Sequence, residues 1–171
     1  LIYIINHAND KILIIDLDLV PVIDNIILDC PNIEKLVILC SKADLPSTKF
    51  SEVISYEELL SMGSENFEWI KGEETDACGI CYTSGTTGNP KGVVYTHRSN
   101  TLHALTQAAP DMLNLSSTDT IMPVVPLFHA NGWSIAYTAP LVGSSIVFPG
   151  GDLSPSSLYD MLERGVTITA A

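Results

Sequence analysis

The sequence predicts an α/β fold, with layered, largely parallel sheets and flanking helices. Three observations point to it. Short apolar runs rich in β-branched residues recur along the chain, segments with helical spacing stand between them, and glycine- and proline-containing turns separate the two. At 171 residues the chain matches the prior of roughly 150 residues per domain, and it can bury a core without disulfide or metal staples. Charged residues are only 16%, against a usual share of about 25%, which excludes disorder and suggests that much of the surface is meant to be covered.

Residues 11–16 (Lys-Ile-Leu-Ile-Ile-Asp) and 35–40 (Lys-Leu-Val-Ile-Leu-Cys) read as strands buried on both faces. Between them Pro21 opens a helical turn, and Val22, Ile23, Ile26 and Ile27 follow at helical spacing. Residues 41–75 are polar and acidic and read as a connector with one short helix at 56–62. A strand at 77–83, a glycine-rich loop at 84–92 and a strand at 92–96 come next. A helix is expected from about His97 to Ala109, with Leu102, Leu105, Ala108 and Ala109 as its buried side. Residues 121–125 form another strand, followed by the apolar segment 126–142 and a strand at 144–148. Ser154-Pro155 starts a helix whose buried stripe is Leu158, Met161 and Leu162 and whose stop is Gly165. The expected division is residues 1–76, a strand-helix-strand unit with its acidic connector, and 77–171, which carry the loop. The chain opens at Leu1 without a methionine and closes on the apolar run 166–171, so both ends are expected to continue, leaving an unpaired edge there.

Twenty acids against eight bases give a net charge of −12, which disfavours nonspecific binding to nucleic acid or anionic lipid. The excess is uneven. Residues 1–76 carry fifteen acids and five bases and residues 77–171 five and three, so an anionic ligand favours the second half. No apolar run reaches the roughly 18–20 residues of a membrane span. Cys30, Cys40, Cys78 and Cys81 form no disulfide framework, which suits a reducing, cytoplasmic setting. Cys78-Gly-Ile-Cys81 invites a redox or zinc reading, but it lies within a strand with no second pair at zinc spacing, so two small apolar core residues are the expectation. His7, His97 and His103 share no metal-ligand spacing and read as surface or capping residues, and Glu73-Glu74-Thr75-Asp76 reads as a solvated outer turn.

Residues 82–92 (Tyr-Thr-Ser-Gly-Thr-Thr-Gly-Asn-Pro-Lys-Gly) gather four Ser/Thr hydroxyls and three glycines around one lysine. Gly85, Gly88 and Gly92 permit positive φ, so backbone N–H groups can turn inward while the hydroxyls and Lys91 add donors and charge. Composition alone leaves a polyphosphate cradle and a plain inter-strand turn equally open. A kinase-type P-loop is excluded by counting, because Pro90 stands where its second glycine belongs, and the three-glycine dinucleotide pattern fails as well.

The string YTSGTTGNPKG resembles the signature loop of the AMP-forming acyl and aryl adenylating enzymes over all eleven residues. MPVVPLFHANGW (residues 122–133), LVGSSIVFPGGDLSPSSLYDMLE and YIINHANDKILIIDLD extend the likeness to the bacterial medium- and long-chain fatty-acyl-CoA ligase branch. The resemblance implies part of the large N-terminal domain of a much longer enzyme that activates a fatty acid to an acyl-adenylate and then an acyl-CoA. It implies ATP, Mg²⁺ and coenzyme A as partners and, in the complete protein, a homodimer. By position, Thr83, Ser84, Gly85, Thr86, Thr87, Gly88 and Lys91 would contact ATP, with the Thr83 hydroxyl on Mg²⁺. Lys91 and His129 would be the catalytic residues, and His129, Asn131 and Trp133 would line the acid site, Trp133 as a gate. From the residues alone, His129 is a capping or carbonyl-satisfying histidine and Trp133 a core anchor. Ala130 and Gly132 are smaller than many relatives' residues there. An aryl-acid ligase and a noncatalytic nucleotide-binding module are the alternatives.

Overall fold

The computed structural model describes residues 1–84 and 88–170. The chain divides into two compact units: Leu1–Lys71 with Ser84–Lys91, and Gly72–Thr83 with Gly92–Ala171.

In the first unit helix α1 (Ile2–Ala8) precedes strand β1 (Ile12–Asp16), helix α2 (Val20–Asp24) and strand β2 (Lys35–Leu39). Strand β3 (Val53–Ser55) and helix α3 (Tyr56–Ser61) follow. The three strands form one parallel sheet in the order β1-β2-β3, with Ile14 opposite Val37 and Val37 opposite Ile54. Leu36, Val37 and Ile38 are all fully buried, as expected for a central strand covered on both faces. β1 is one-sided: Ile15 is buried, whereas Ile12 and Ile14 are exposed. It is an edge strand, and among the described residues its helices cover a single face. The core joins Ile5, Ile15, Val20, Ile23, Ile27, Cys30, Leu36 and Ile38. The helical turn after Pro21 is shorter than its apolar spacing suggested, ending at Asp24 in a stretch that includes a 3-10 turn at Ile27–Asp29, and Val22 faces outward. β3 falls inside the segment expected to be only a connector. Ser55 then caps α3 by accepting the Glu58 N–H at 3.2 Å while Glu58 accepts the Ser55 N–H.

In the second unit strands β4 (Ala77–Thr83) and β5 (Lys91–Thr96) pair as a ribbon. Helix α4 (His97–Ala108) opens with a capping box between Thr96 and Ser99. The acidic turn before β4 is exposed, as expected, and holds the same helix start: Glu74 pairs with the Arg98 guanidinium, and its carbonyl accepts the Arg98 N–H at 2.7 Å. Next come strand β6 (Thr120–Pro123), a short turn α5 (Ala130–Trp133) and helix α6 (Ile135–Val142). Strand β7 (Ser145–Ile146), helix α7 (Pro155–Glu163) and strand β8 (Ile168–Ala170) complete the unit. The second parallel sheet has the order β7-β6-β8, so the expected terminal strand is present as an edge paired with β6. Leu115, Ile121, Val125, Ile135, Ala139 and Ala170 form its core. Ser154 caps α7 with Pro155 in the first turn, and Gly165, at φ 106°, ends it. Leu158 and Met161 are only half-buried and Leu162 is exposed, so the expected stripe is not a core face among the described residues.

The buried side of α4 is the reverse of the expected one. Leu102 and Leu105 are exposed, and Asn100, Ala104 and Gln107 face inward. Apolar periodicity missed this because the inward polar groups have partners: Gln107 Oε1 accepts from Thr138 Oγ1 at 2.9 Å, and Asn100 Nδ2 donates to Cys78 Sγ at 3.2 Å. No helix of the described residues is long and apolar enough to cross a membrane.

Candidate active-site elements

β4 leads into the glycine-rich loop. Its last residue, Thr83, and the following Ser84 are exposed, so both hydroxyls are open to a ligand. Gly85, Thr86 and Thr87 lie outside the described residues. Gly88 has φ +90°, the conformation the loop reading asks of a glycine. Lys91 is exposed at the start of β5. Gly92 has a different reason to be glycine than positive φ. A Cβ there would lie 2.5 Å from Ile80 Cδ1 and 3.3 Å from Tyr82 Cζ, so any larger residue obliges the Ile80 side chain to shift. No carboxylate stands between Tyr82 and Gly92, so within this stretch only hydroxyl and carbonyl oxygens could reach a metal ion. Among the described residues no group of three or more His, Cys, Asp or Glu could hold a metal ion.

The second element follows β6. From Ala130 to Ser134 five consecutive residues have φ between 47° and 64°. Asn131 (56°, 43°) and Gly132 (59°, 47°) fall almost on ideal left-handed helical values. The hydrogen bonds are helical too: Ser134 N–H donates to the Ala130 carbonyl at 3.1 Å, and Gly132 N–H to the His129 carbonyl at 3.0 Å. α5 with Ser134 is therefore a left-handed turn, and four of the five residues Ala130–Ser134 carry a Cβ that this hand crowds, at about 1–2 kcal/mol each.

Three contacts oppose that strain. Gly132 packs against Leu127, so closely that a Cβ would lie 2.8 Å from Leu127 Cδ2. Asn131 Oδ1 accepts from the Cys81 thiol at 3.3 Å. At the far end the buried Thr138 hydroxyl shares its one proton between the Gln107 Oε1, 2.9 Å away, and the Ser134 carbonyl, 3.1 Å away. His129 precedes the turn, exposed, with no side-chain cap bond to it; Trp133 is 39% exposed. Asn131 and Trp133 thus share one turn that His129 leads into, reached through Cys81 from the strand that ends at Thr83.

Beside the turn, at the C-terminal ends of β6 and β7, lies an apolar cleft of about 430 Å³ lined by Val124, Leu127, Phe128, Phe148 and Leu153, among others. That is where parallel sheets bind ligands, and the volume falls within the usual range for small-molecule sites. Phe128 and Phe148 are exposed to it or to solvent.

Sequence reasoning missed Cys81, Asn100, Gln107, Leu127 and Thr138. It also expected both Cys78 and Cys81 in a core. β4 is not buried on both faces: Cys78 is exposed, Cys81 half-buried, and each sulfur engages an amide side chain. Nothing in the spacing of these residues announces a contact across 50 positions. His97 and His103 are exposed on α4, in line with their surface reading.

The profile of the AMP-binding enzyme family matches residues 1–171. The chain is 44% identical over 167 residues to a medium-chain-fatty-acid–CoA ligase of Ectopseudomonas oleovorans, covering 97% of this chain and 31% of that protein. It is 41% identical over 169 residues to a long-chain-fatty-acid–CoA ligase of Thermus thermophilus, covering 98% and 30%. Among solved structures, a long-chain-fatty-acid–CoA ligase of Archaeoglobus fulgidus superimposes with TM-score 0.79 at 27% identity, covering 95% of this chain and 30% of that one. The chain thus spans about a third of the length of the curated relatives it matches.

Proposed function

Because this chain belongs to the AMP-binding enzyme family, we propose that it works within a longer protein as the ATP- and acid-binding part of a fatty-acid–CoA ligase. The observation that carries this reading is the 44% identity to a medium-chain-fatty-acid–CoA ligase over 97% of the chain, loop and turn included. Both compact units then belong to one large N-terminal domain. A carboxylate is a poor electrophile, so the acid first attacks the α-phosphorus of ATP and expels pyrophosphate. Coenzyme A thiolate then attacks the acyl carbonyl of the adenylate and releases AMP.

The residues divide this work as follows. Thr83, Ser84 and the loop through Gly88 hold the β- and γ-phosphates with hydroxyl and N–H donors, and Lys91 adds positive charge as pyrophosphate leaves. The Thr83 hydroxyl would be a ligand for the Mg²⁺ that accompanies ATP, and that ion would offset phosphate charge. His129 and Asn131 border the carboxylate, Trp133 gates the acid, and the apolar cleft beside Leu127 and Phe128 takes the hydrocarbon chain. We place the complete protein in the cytoplasm, as a homodimer.

The test is ATP–pyrophosphate exchange by the complete protein with acids from hexanoate to stearate. Exchange with at least one of them, and its loss by about a hundredfold in Lys91→Ala, is the expected result. No exchange with any of these acids refutes the reading, and a ranking headed by benzoate-like acids redirects it to aryl substrates.

A further inference from the structure

The left-handed turn is the most strained segment of the second unit, and its hand is not written in its residues. Only Gly132 accepts positive φ without crowding, and Asn131 tolerates it; Ala130, Trp133 and Ser134 do not favour it. Such a segment keeps its conformation only where neighbours over-determine it. Two of the neighbours are structural in an ordinary sense, the Leu127 side chain under Gly132 and the buried Thr138 hydroxyl behind Ser134. The third is a single directional bond, from the Cys81 thiol to Asn131 Oδ1 at 3.3 Å, and it joins the turn to the strand that runs into the phosphate loop.

We propose that Cys81 is a positioning residue for acid selection. By holding Asn131 it adds to the Leu127 and Thr138 contacts that keep the turn, and the turn sets both the direction of the Trp133 indole and the Leu127 wall of the apolar cleft. A thiol is a weak donor, so the tie is firm enough to bias the turn and soft enough to yield when a chain enters. The bond of Cys81 runs to Asn131 and not to Thr83, which is exposed two residues further along β4, so we assign its effect to the acid and not to ATP. This inference rests on the reading above that the cleft and turn receive the acid.

The experiment compares the complete wild-type protein with Cys81→Val, which removes the donor at similar volume, and Cys81→Ser, which restores a donor. ATP–pyrophosphate exchange is measured across acids from hexanoate to stearate, with KM determined separately for acid and for ATP. In Cys81→Val the KM for the preferred acid rises about fivefold and the chain-length preference flattens, the ATP KM stays within twofold, and Cys81→Ser behaves as wild type. An unchanged chain-length profile in Cys81→Val overturns the inference, as does a parallel rise in both KM values or a serine variant that behaves as the valine one. Should the valine variant not fold, alkylation of wild-type Cys81 by iodoacetamide, followed by peptide mass spectrometry, decides the matter. Its rate changes severalfold on adding the preferred acid while that of Cys78 does not, and an unchanged rate refutes the proposal. Absence of exchange in the wild-type protein with every acid instead sinks the functional reading and this one with it.

Discussion

Replacing Ala130 by glycine inverts the usual consequence of that substitution. In a right-handed helix it would cost about 1 kcal/mol. Ala130 has φ 47°, where removing the Cβ relieves about 1–2 kcal/mol of crowding. The added freedom of the unfolded chain takes back about 0.4–1 kcal/mol, leaving a net stabilisation of about 0.5–1 kcal/mol. Gly132→Ala goes the other way, because it adds a Cβ at φ +59° that would lie 2.8 Å from Leu127 Cδ2. It should cost about 1–2 kcal/mol for the backbone and about 1–3 kcal/mol for overpacking. Native-state hydrogen exchange of the complete protein reads this locally, at the Gly132 and Ser134 amides that bond within the turn. Ala130→Gly should slow their exchange about two- to fivefold, and Gly132→Ala should speed it by about tenfold or more. Faster exchange in Ala130→Gly would mean that the turn is not left-handed, and the assignment of strain to it would fall.

Thr138→Val leaves the buried Gln107 carbonyl oxygen without its donor and should destabilise the second unit by about 1–3 kcal/mol in urea denaturation. The double change with Gln107→Leu should recover most of that loss, since removing both partners leaves nothing unsatisfied. Asp119 carries a pH-dependent contribution. The Ser116 hydroxyl, the Ser116 N–H and the Thr167 hydroxyl together hold its carboxyl below the usual aspartate value. A depressed pKa means that the stabilisation is complete above the unfolded aspartate value and is lost as pH falls through the folded one. The difference in urea midpoint between wild type and Asp119→Asn should therefore be largest near neutrality and close in acid; a gap that widens in acid would contradict the assignment.

Much of the fold is legible because its local rules agree with each other. The run Leu36-Val37-Ile38 is apolar, β-branched and fully buried, and Ser154-Pro155 with Gly165 brackets α7 as capping rules require. The failures share a cause. β3 is three residues long and carries too little pattern to stand out from its acidic surroundings. α4 turns its polar side inward because Asn100 and Gln107 find partners on β4 and α6, and hydrophobic periodicity has no means of counting partners. Gly92 lies close under Ile80 and Tyr82 and has no positive φ, a contact the loop's glycine spacing does not reveal.

The candidate site divides along the same line. Its chemistry, the hydroxyls, glycines and lysine of the loop and the His-Ala-Asn-Gly-Trp segment after β6, is carried by residue types at fixed short spacing and can be read from the chain alone. So can the strand-helix alternation, because apolar period and end caps act over a few residues. The hand of the turn that presents Asn131 and Trp133 cannot be read that way, since residues 130–134 taken alone favour the right-handed form. Leu127, Thr138 and Cys81 supply the opposing free energy, and Cys81 lies 50 positions from its partner, brought there only when β4 and the turn pack together.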